Sequence, residues 1–365
     1  MSTTVVAAAA AHAASPLKRD ALLGSYLLGM GVLVGGMIVL GGVTRLTRSG
    51  LSMVDWKPLG RLPPSNQAEW HAEFEKYKAF PEYQRVNGRM SLDEFKRIWY
   101  MEWSHRTYGR VLGVLYAGPL AYFVLSGRTG RLGMTTRLMG LLGLGAAQGL
   151  VGWWMVRSGL HEDLLLPGRE PRVSPYRLAA HLTMALALYS GLMWNGWTAL
   201  NPTALVSGRV PLRGSALAVA HVVGLTVLSG VLVAGNDAGR AYNDWPLYND
   251  AWLPDNMMKL KPAWRNFTEN TGTVQFDHRT LAYTTLASTT ALAMAAARSK
   301  HTPLLPPLAK LGMRGLAVAA WTQATLGVVT LVTMVPVSLG AAHQTWAIVT
   351  WTLSLWVNHC LRYVR

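Results

Sequence analysis

The sequence contains almost no cysteine and comparatively few charged residues. Cys360 is the only cysteine in the 365 residues, so no disulfide can form within the chain. Charged residues make up 14% of the chain, whereas hydrophobic residues make up 51% and occur in uninterrupted runs. Runs of about 20 apolar residues are long enough to cross the hydrocarbon core of a bilayer. These features predict an integral membrane protein.

Acidic residues are also scarce, and some loops lack them altogether. The sequence has 18 Asp and Glu against 34 Lys and Arg. The loops after the second, fourth and sixth apolar segments are basic without an acidic residue: Arg128, Arg131, Arg137, Arg209, Arg213, Arg298, Lys300, Lys310 and Arg314. By the positive-inside rule these loops and both termini face the cytoplasm or the matrix. Because the cations are scattered, we expect membrane lipid as their partner and no nucleic acid.

The apolar segments predict an all-α integral membrane protein with eight transmembrane helices. They lie near residues 22–43, 105–127, 136–157, 176–199, 214–235, 278–298, 312–335 and 339–361. Residues 1–20 have no charged region before an apolar core, so they are interpreted as an N-terminal tail and not as a cleaved signal.

Two parts of the chain carry the same motifs, which indicates an internal repeat. Residues 102–107 (EWSHRT) correspond to residues 275–280 (QFDHRT), and the Ala-Ala-His of residues 179–181 recurs at residues 341–343. Further matches in each half place the repeated unit at four helices.

The repeat predicts two pseudo-symmetric four-helix bundles. Residues 21–205 form the first half and residues 206–365 the second, with a hinge at the basic and proline-containing segment from Arg209 to Arg213. Both halves would insert in the same direction and be related by an axis along the membrane normal.

Four histidines, His105, His181, His278 and His343, lie near the outer start of even-numbered segments. Two imidazoles at one depth in each half are what a bundle needs to ligate a haem iron from both sides. For any single histidine, the alternative role is to form a hydrogen bond between helices. Zinc is disfavoured, because neither half supplies three or four close ligands.

The remaining histidines are poorer candidates for axial ligands. His221 has no counterpart in the first segment and is interpreted as a packing residue. The others lie in tails, in loops or at a helix end: His12, His71, His161, His301 and His359.

The repeat is broken where the first half has Glu102 and the second has Gln275. A carboxylate one turn before His105 can act as an acid, a base or a counter-charge beside a haem. Its alternative role is an interfacial anchor or a helix N-terminal charge. If one half performs chemistry, the asymmetry indicates the first half.

Arg106 and Arg279 directly follow a histidine in each half, and they are candidates for contacts with haem propionates. The equally supported alternative is snorkelling to water and lipid phosphate. Weaker propionate candidates are Arg45, Arg48 and Arg240, and Trp56 and Trp245 are interpreted as outer-loop or interfacial residues.

The chain resembles the haem A synthase family. Residues 41–52 (GGVTRLTRSGLS), the Glu102 to Arg106 motif, the two Ala-Ala-His motifs and residues 276–279 carry the resemblance, which spans roughly residues 22 to 361. The absence of cysteine pairs resembles the proteobacterial and mitochondrial branch. A bacterial inner membrane is the expected location, with the mitochondrial inner membrane as the alternative.

The resemblance implies oxidation of the C8 methyl of haem O to the formyl group of haem A, for cytochrome oxidase assembly. It implies that His105 and His181 hold the substrate or product haem, that His278 and His343 ligate a haem b, and that Glu102 lies at the reactive centre. It also implies stepwise hydroxylation with water as the oxygen source, and contact with haem O synthase. The sequence does not indicate the electron acceptor.

Two other functions use the same four histidines. A two-haem b-type electron carrier or quinone-linked subunit would keep haem b in both sites, and Glu102 would be incidental. A haem chaperone or transporter would perform no redox chemistry. The distinction is whether one haem changes chemically and leaves.

Overall fold

A computed structural model describes residues 19–201, 212–298 and 305–362. These residues contain eight long helices and no β-strand: α1 (Ala21–Leu46), α2 (Leu92–Leu125), α3 (Thr135–Arg157), α4 (Pro175–Leu200), α5 (Arg213–Gly235), α6 (Thr271–Arg298), α7 (Pro307–Val332) and α8 (Val337–Leu361). Most of the predicted tail and most of the predicted hinge lie outside the described residues.

Five of these helices, α1, α2, α3, α5 and α7, are long and apolar enough to cross a membrane. The other three are of similar length, and α6 among them carries repeated threonines. The structure is therefore that of an all-α protein with several membrane spans, and the remaining three crossings stay a prediction.

Helix α2 begins at Leu92, 13 residues before the predicted membrane segment near residues 105–127, so the helix extends well beyond that segment. Ser91 caps the helix through a reciprocal pair of hydrogen bonds with Glu94, which fixes the N-terminus well before the apolar run. Its 34 residues span about 51 Å at 1.5 Å per residue, more than the roughly 30 Å of hydrocarbon. Hydropathy does not reveal this extension, because the added turns carry many charged residues.

The helices of each half form a closed ring of neighbours. In the first half, α1 packs against α2 and α4, and α3 packs against the same two helices. In the second half, α5 and α7 each pack against α6 and α8. The halves meet through α1, α4, α5 and α8, where Trp351 Nε1 donates to Ser190 Oγ at 2.9 Å.

The connection between α1 and α2 folds into a lobe of residues 51–91 together with the first turns of α2, called the outer lobe because the sequence predicts it on the outer side. Its helix, Gln67–Lys78, packs on the exposed end of α2. A separate aromatic core holds it together: Met53, Trp70, Phe74, Tyr77, Phe95 and Trp99. The corresponding connection in the second half, residues 236–270, contains only short helical turns.

Candidate active site

Each of the four predicted histidines lies on an even-numbered helix against a glycine of the preceding helix. A Cβ added to that glycine would crowd the ring, so the backbone forms a close-fitting seat for the imidazole. Measured from the added Cβ, the distances are 3.1 Å at Gly41 to His105 Nε2, 3.2 Å at Gly152 to His181 Cε1, 3.0 Å at Gly230 to His278 Cε1, and 2.9 Å at Gly327 to His343 Cε1. The same arrangement therefore occurs four times.

The histidines lie in pairs within each half. His105 lies near His181, and His278 lies near His343. The structure thus brings together the two pairs that the sequence predicts.

Several ring nitrogens have partners that orient them, and others have none. Ser229 Oγ lies 2.8 Å from His278 Nδ1, and the Gln323 amide nitrogen lies 3.3 Å from His343 Nε2. The Nδ1 atoms of His181 and His343 are buried and have no hydrogen-bond partner among the residues that the structure describes. Buried unpaired nitrogens are uncommon in folded proteins. Each half has two half-buried imidazoles, each seated on a glycine, and two imidazoles are the donor groups that a bis-histidine haem requires, so these residues fit that group.

Glu102 lies one turn before His105 on α2 and is only 2% exposed. Its Oε2 accepts hydrogen bonds from Ser52 Oγ at 2.8 Å and from the Met53 backbone N–H at 2.7 Å. Its Oε1 accepts from Arg106 at 2.5 Å. The carboxylate therefore fixes the first residues of the outer lobe to the end of α2.

Gln275 occupies the corresponding position with the opposite hydrogen-bond polarity. Its amide nitrogen donates to the carbonyls of Ala238 at 2.8 Å and Tyr242 at 3.1 Å. Its oxygen accepts from Arg279 at 3.0 Å. The connection between α5 and α6 therefore supplies hydrogen-bond acceptors to Gln275, whereas the connection between α1 and α2 supplies donors to Glu102.

The two arginines that follow the histidines bind the outer connections. Arg106 donates to the carbonyl of Met53 at 2.8 Å, and Arg279 donates to the carbonyls of Asp244 at 2.8 Å and Leu247 at 2.9 Å. The predicted propionate contacts stay a prediction. Each guanidinium already binds the backbone of the connection in its own half.

Arg106 also lines a cavity at the outer end of α2 and α3. The other lining residues are Val54, Trp56, Trp153, Val156, Arg157 and Leu160. Trp56 packs against Trp153 with ring centroids 6.4 Å apart. Sequence reasoning missed Arg157, although a cation in the last turn of an outward-running apolar segment was a usable signal.

Three arginines of the first half converge on one aspartate of the second. Asp237 lies 3.0 Å from Arg45, 3.6 Å from Arg172 and 3.9 Å from Arg48. Sequence reasoning missed both Asp237 and Arg172. The weaker propionate candidates Arg45 and Arg48 are therefore part of an ion cluster between the halves, whereas Arg240 lies in the short helix after Asp237.

His221, His359 and Trp245 have partners outside the four histidine seats. His221 is exposed on α5 and bonds the Leu217 carbonyl of its own helix at 2.8 Å. His359 lies at the inner end of α8 against Trp194 and Trp356. Trp245 donates to Tyr283 OH at 3.1 Å. His12 and His301 lie outside the described residues.

Comparison with known proteins adds a family to this geometry. The family model COX15-CtaA, described as cytochrome oxidase assembly protein, matches residues 24–355, which include Glu102 and all four histidines. The chain belongs to this family. The resemblance predicted from the motifs is confirmed.

Individual members of the family are similar over nearly the whole chain. Heme A synthase COX15 of Arabidopsis thaliana is 49% identical over 351 residues, covering 93% of this chain and 74% of the relative. Heme A synthase COX15 of Homo sapiens is 44% identical, covering 94% and 84%. Heme A synthase of Parvibaculum lavamentivorans is 42% identical, covering 92% and 93%. Both bacterial and eukaryotic members are thus similar to this chain.

Proposed function

We propose that this chain is a haem A synthase that oxidises the C8 methyl of haem O to the formyl group of haem A through hydroxylated intermediates, in cytochrome oxidase biogenesis. The observation that carries the proposal is the family match across both histidine pairs. Relatives with at least 42% identity over most of this chain bear the name heme A synthase.

The proposed architecture is eight transmembrane helices in two pseudo-symmetric four-helix halves, residues 21–205 and 206–365. The closed ring of neighbours in each half supports it, as do the four equivalent histidine seats. The proposed orientation has the termini on the cytoplasmic side, or on the matrix side in a mitochondrion, and the basic loops support it through the positive-inside rule. A bacterial inner membrane is the proposed location.

In the first half, His105 and His181 hold the substrate and product haem. In the second half, His278 and His343 hold a resident haem b, which supplies one-electron redox chemistry when bound. The assignment rests on Glu102, since a carboxylate lies beside the first pair and an amide beside the second.

Glu102 places a negative charge one turn from the first-half ligand His105. There it can stabilise positive charge that develops as the methyl carbon is oxidised, or orient the attacking water. Ser52, the Met53 N–H and Arg106 hold the carboxylate in a single orientation, so it needs no reorganisation during the reaction.

Arg106 and Arg157 are the proposed propionate contacts at the substrate site, because both line the cavity at its outer end. Arg279 is the corresponding proposal for the resident haem. Haem O synthase is the proposed source of substrate.

The deciding experiment co-expresses the chain with a source of haem O in a host that lacks haem A. Haems are then extracted from the purified protein and separated by chromatography. Haem A or its hydroxylated precursor is the expected result. Haem O left unchanged beside two equivalents of haem b would overturn the proposal.

A second candidate is a two-haem b-type electron carrier, possible because the four seats are so similar in geometry. It requires permanent haem b in both halves and predicts that Glu102→Gln has no effect on the haem composition. The same extraction separates the two functions.

A further inference from the structure

A serine of α5 contacts the ligand histidine of α6 in the second half. Ser229 directly precedes Gly230, the glycine that seats His278, and its Oγ lies 2.8 Å from His278 Nδ1. The same hydroxyl donates to the Thr226 carbonyl of its own helix at 2.8 Å. A hydroxyl group carries a single hydrogen. Because that hydrogen is directed at the carbonyl, the Ser229 oxygen accepts from His278, and the imidazole proton lies on Nδ1.

The position of this proton decides what the second ring nitrogen can do. In a neutral imidazole one nitrogen carries the proton, and the other keeps the lone pair that a metal requires. Ser229 therefore leaves Nε2 of His278 free to bind an iron. A hydrogen bond on the other nitrogen also fixes the orientation of a ligand ring and raises its basicity. The second half thus contains a ligand that is oriented in advance.

The first half lacks this serine. Leu40 directly precedes Gly41 in α1, as Ser229 directly precedes Gly230 in α5. A leucine side chain has no polar atom, so it cannot accept a hydrogen bond from His105. Among the residues that the structure describes, no group is hydrogen-bonded to a ring nitrogen of His105. The first-half ligand on α2 is therefore not oriented by a partner.

The two rings also face their glycines differently. A Cβ added to Gly41 would lie 3.1 Å from Nε2 of His105 and 3.7 Å from its Cδ2. A Cβ added to Gly230 would lie 3.0 Å from Cε1 of His278, with Nδ1 at 3.6 Å and Nε2 at 3.7 Å. His278 thus turns the carbon between its two nitrogens towards α5, whereas His105 turns Nε2 towards α1. The ring of His105 does not have the orientation that Ser229 gives to His278.

The other two ligands do not differ in this respect. The Nδ1 atoms of His181 and His343 are both buried, and neither has a hydrogen-bond partner among the described residues. Gln148 donates to the backbone carbonyl of His181 at 3.1 Å, and the Gln323 amide nitrogen lies 3.3 Å from Nε2 of His343. Neither glutamine bonds Nδ1. A partner on Nδ1 therefore distinguishes the two halves only at the ligands of α2 and α6.

We propose that Ser229 is the positioning residue that makes the second-half haem permanent, and that Leu40 leaves the first-half haem exchangeable, so that haem O can enter and haem A can leave. This inference rests on the proposed function, in which the first half processes the substrate. When a haem leaves, the bonds between its iron and the two Nε2 atoms break, and each electron pair returns to its nitrogen. No oxidation or reduction takes place in this step.

The first test measures haem release without turnover. A full-length background protein with His105→Ala and His181→Ala, purified from a host that makes only haem b, has ligands in the second half alone. Transfer of its haem to excess apomyoglobin gives the release rate. Ser229→Ala and Ser229→Leu in this background should release haem about 10-fold to 100-fold faster, the usual effect of removing a partner from a ligand histidine. Ser229→Thr keeps a hydroxyl and should restore slow release.

Ser288→Ala is the matched control for this test. The Ser288 hydroxyl also bonds a carbonyl three residues earlier in its own helix, that of Thr285 at 3.2 Å, but it contacts no histidine. Its replacement should leave the release rate unchanged. If Ser288→Ala accelerated release as much as Ser229→Ala, the specific role of Ser229 would be overturned.

The midpoint potential of the second-half haem separates ligand positioning from simple packing of α5 on α6. Ser229→Ala should raise this potential, because an imidazole without its Nδ1 acceptor is a weaker electron donor and stabilises ferric iron less. Ser229→Thr should return the potential towards that of the wild type. An unchanged potential in Ser229→Ala would overturn the positioning role, whatever the release rate.

The reciprocal exchange tests the first half. Leu40→Ser introduces a hydroxyl at the position that Ser229 has in the second half. Haem A made by this variant should leave the protein about 10-fold more slowly than from the wild type, while the second-half haem b content stays the same. Transfer of haem A to apomyoglobin measures this. An unchanged release of haem A would overturn the role of Leu40.

The two proposals fail in different ways. If the wild type makes haem A and Ser229→Ala keeps its release rate and its potential, the role of Ser229 is overturned and the synthase function stands. If the wild type makes no haem A, the synthase function is overturned, and the role of Leu40 in substrate exchange with it. The measurements on Ser229 use only haem b, so they decide its role in either case.

Discussion

The two halves hold their outer connections in the same way but with reversed hydrogen-bond polarity. In the first half Glu102 accepts from Ser52 and the Met53 N–H, whereas in the second half Gln275 donates to two carbonyls. In both, an arginine one turn later bonds the side chain. The exchange of glutamate for glutamine is therefore matched by the loop it contacts. The Glu102 carboxylate therefore has a structural role, and its chemical role has to be tested separately from that structural role.

Removing an axial ligand should separate the halves most strongly. His278→Ala and His343→Ala should lose the tightly bound haem b, because one imidazole alone does not complete the bis-histidine site. His105→Ala and His181→Ala should keep that haem and abolish conversion. Haem content by pyridine haemochrome and conversion by chromatography measure both. Retention of all haem in both second-half variants would contradict the assignment.

Exchanging the amide and the carboxylate should give the next largest effect. Glu102→Gln should lower conversion by about 10²-fold to 10³-fold, the range for loss of one electrostatic stabiliser. Gln275→Glu should leave conversion nearly unchanged. It should lower the free energy of unfolding by about 1–3 kcal/mol, because a carboxylate oxygen would face two carbonyls.

Ser52→Ala is the control for the structural role of Glu102. It removes one hydrogen-bond donor from the carboxylate and keeps the carboxylate charge. The free energy of unfolding should therefore fall by about 1 kcal/mol, while conversion is largely retained. If Glu102→Gln retained full turnover while His105→Ala abolished it, the chemical role of the glutamate would be lost.

Filling the glycine seats should produce a smaller, half-specific effect. Gly327→Ala places a Cβ 2.9 Å from His343 Cε1, so the affinity for the resident haem should fall about 10-fold. Gly152→Ala should instead slow conversion and leave that haem bound. The matched control is Gly149→Ala, since its Cβ would meet no atom within 4 Å. If Gly149→Ala had the same effects as Gly152→Ala and Gly327→Ala, the glycine seats would have no specific role at the haem sites.

Neutralising the aspartate between the halves should have the smallest effect. The side chains of Arg45, Arg172 and Asp237 are between 19% and 29% exposed, so solvent screens their attraction. Asp237→Asn should lower the free energy of unfolding by about 1 kcal/mol or less and weaken its dependence on salt. Thermal unfolding at low and high salt measures this, and unchanged salt dependence would contradict it.

The sequence predicts the four histidines because each histidine motif occurs twice. Comparing the two copies also shows the one position where Glu102 is replaced by Gln275. It does not predict the start of α2, where charged residues extend the helix beyond the apolar run. It also does not predict that Glu102 bonds the Met53 N–H, since a backbone donor has no sequence signature. The position of Asp237 depends on contacts between distant segments. Contacts of this kind cannot be predicted from a pattern of residues along a single sequence.

The ion cluster between the halves has a consequence for biosynthesis. Arg45, Arg48 and Arg172 are synthesised before Asp237, which follows α5. When the ribosome has completed the first four helices, these cations still repel one another without their carboxylate. Domains generally fold in the order of their synthesis, yet here the earlier unit stays electrostatically incomplete until the fifth helix docks. The protein therefore matures as one chain, in which the later half finishes the earlier one.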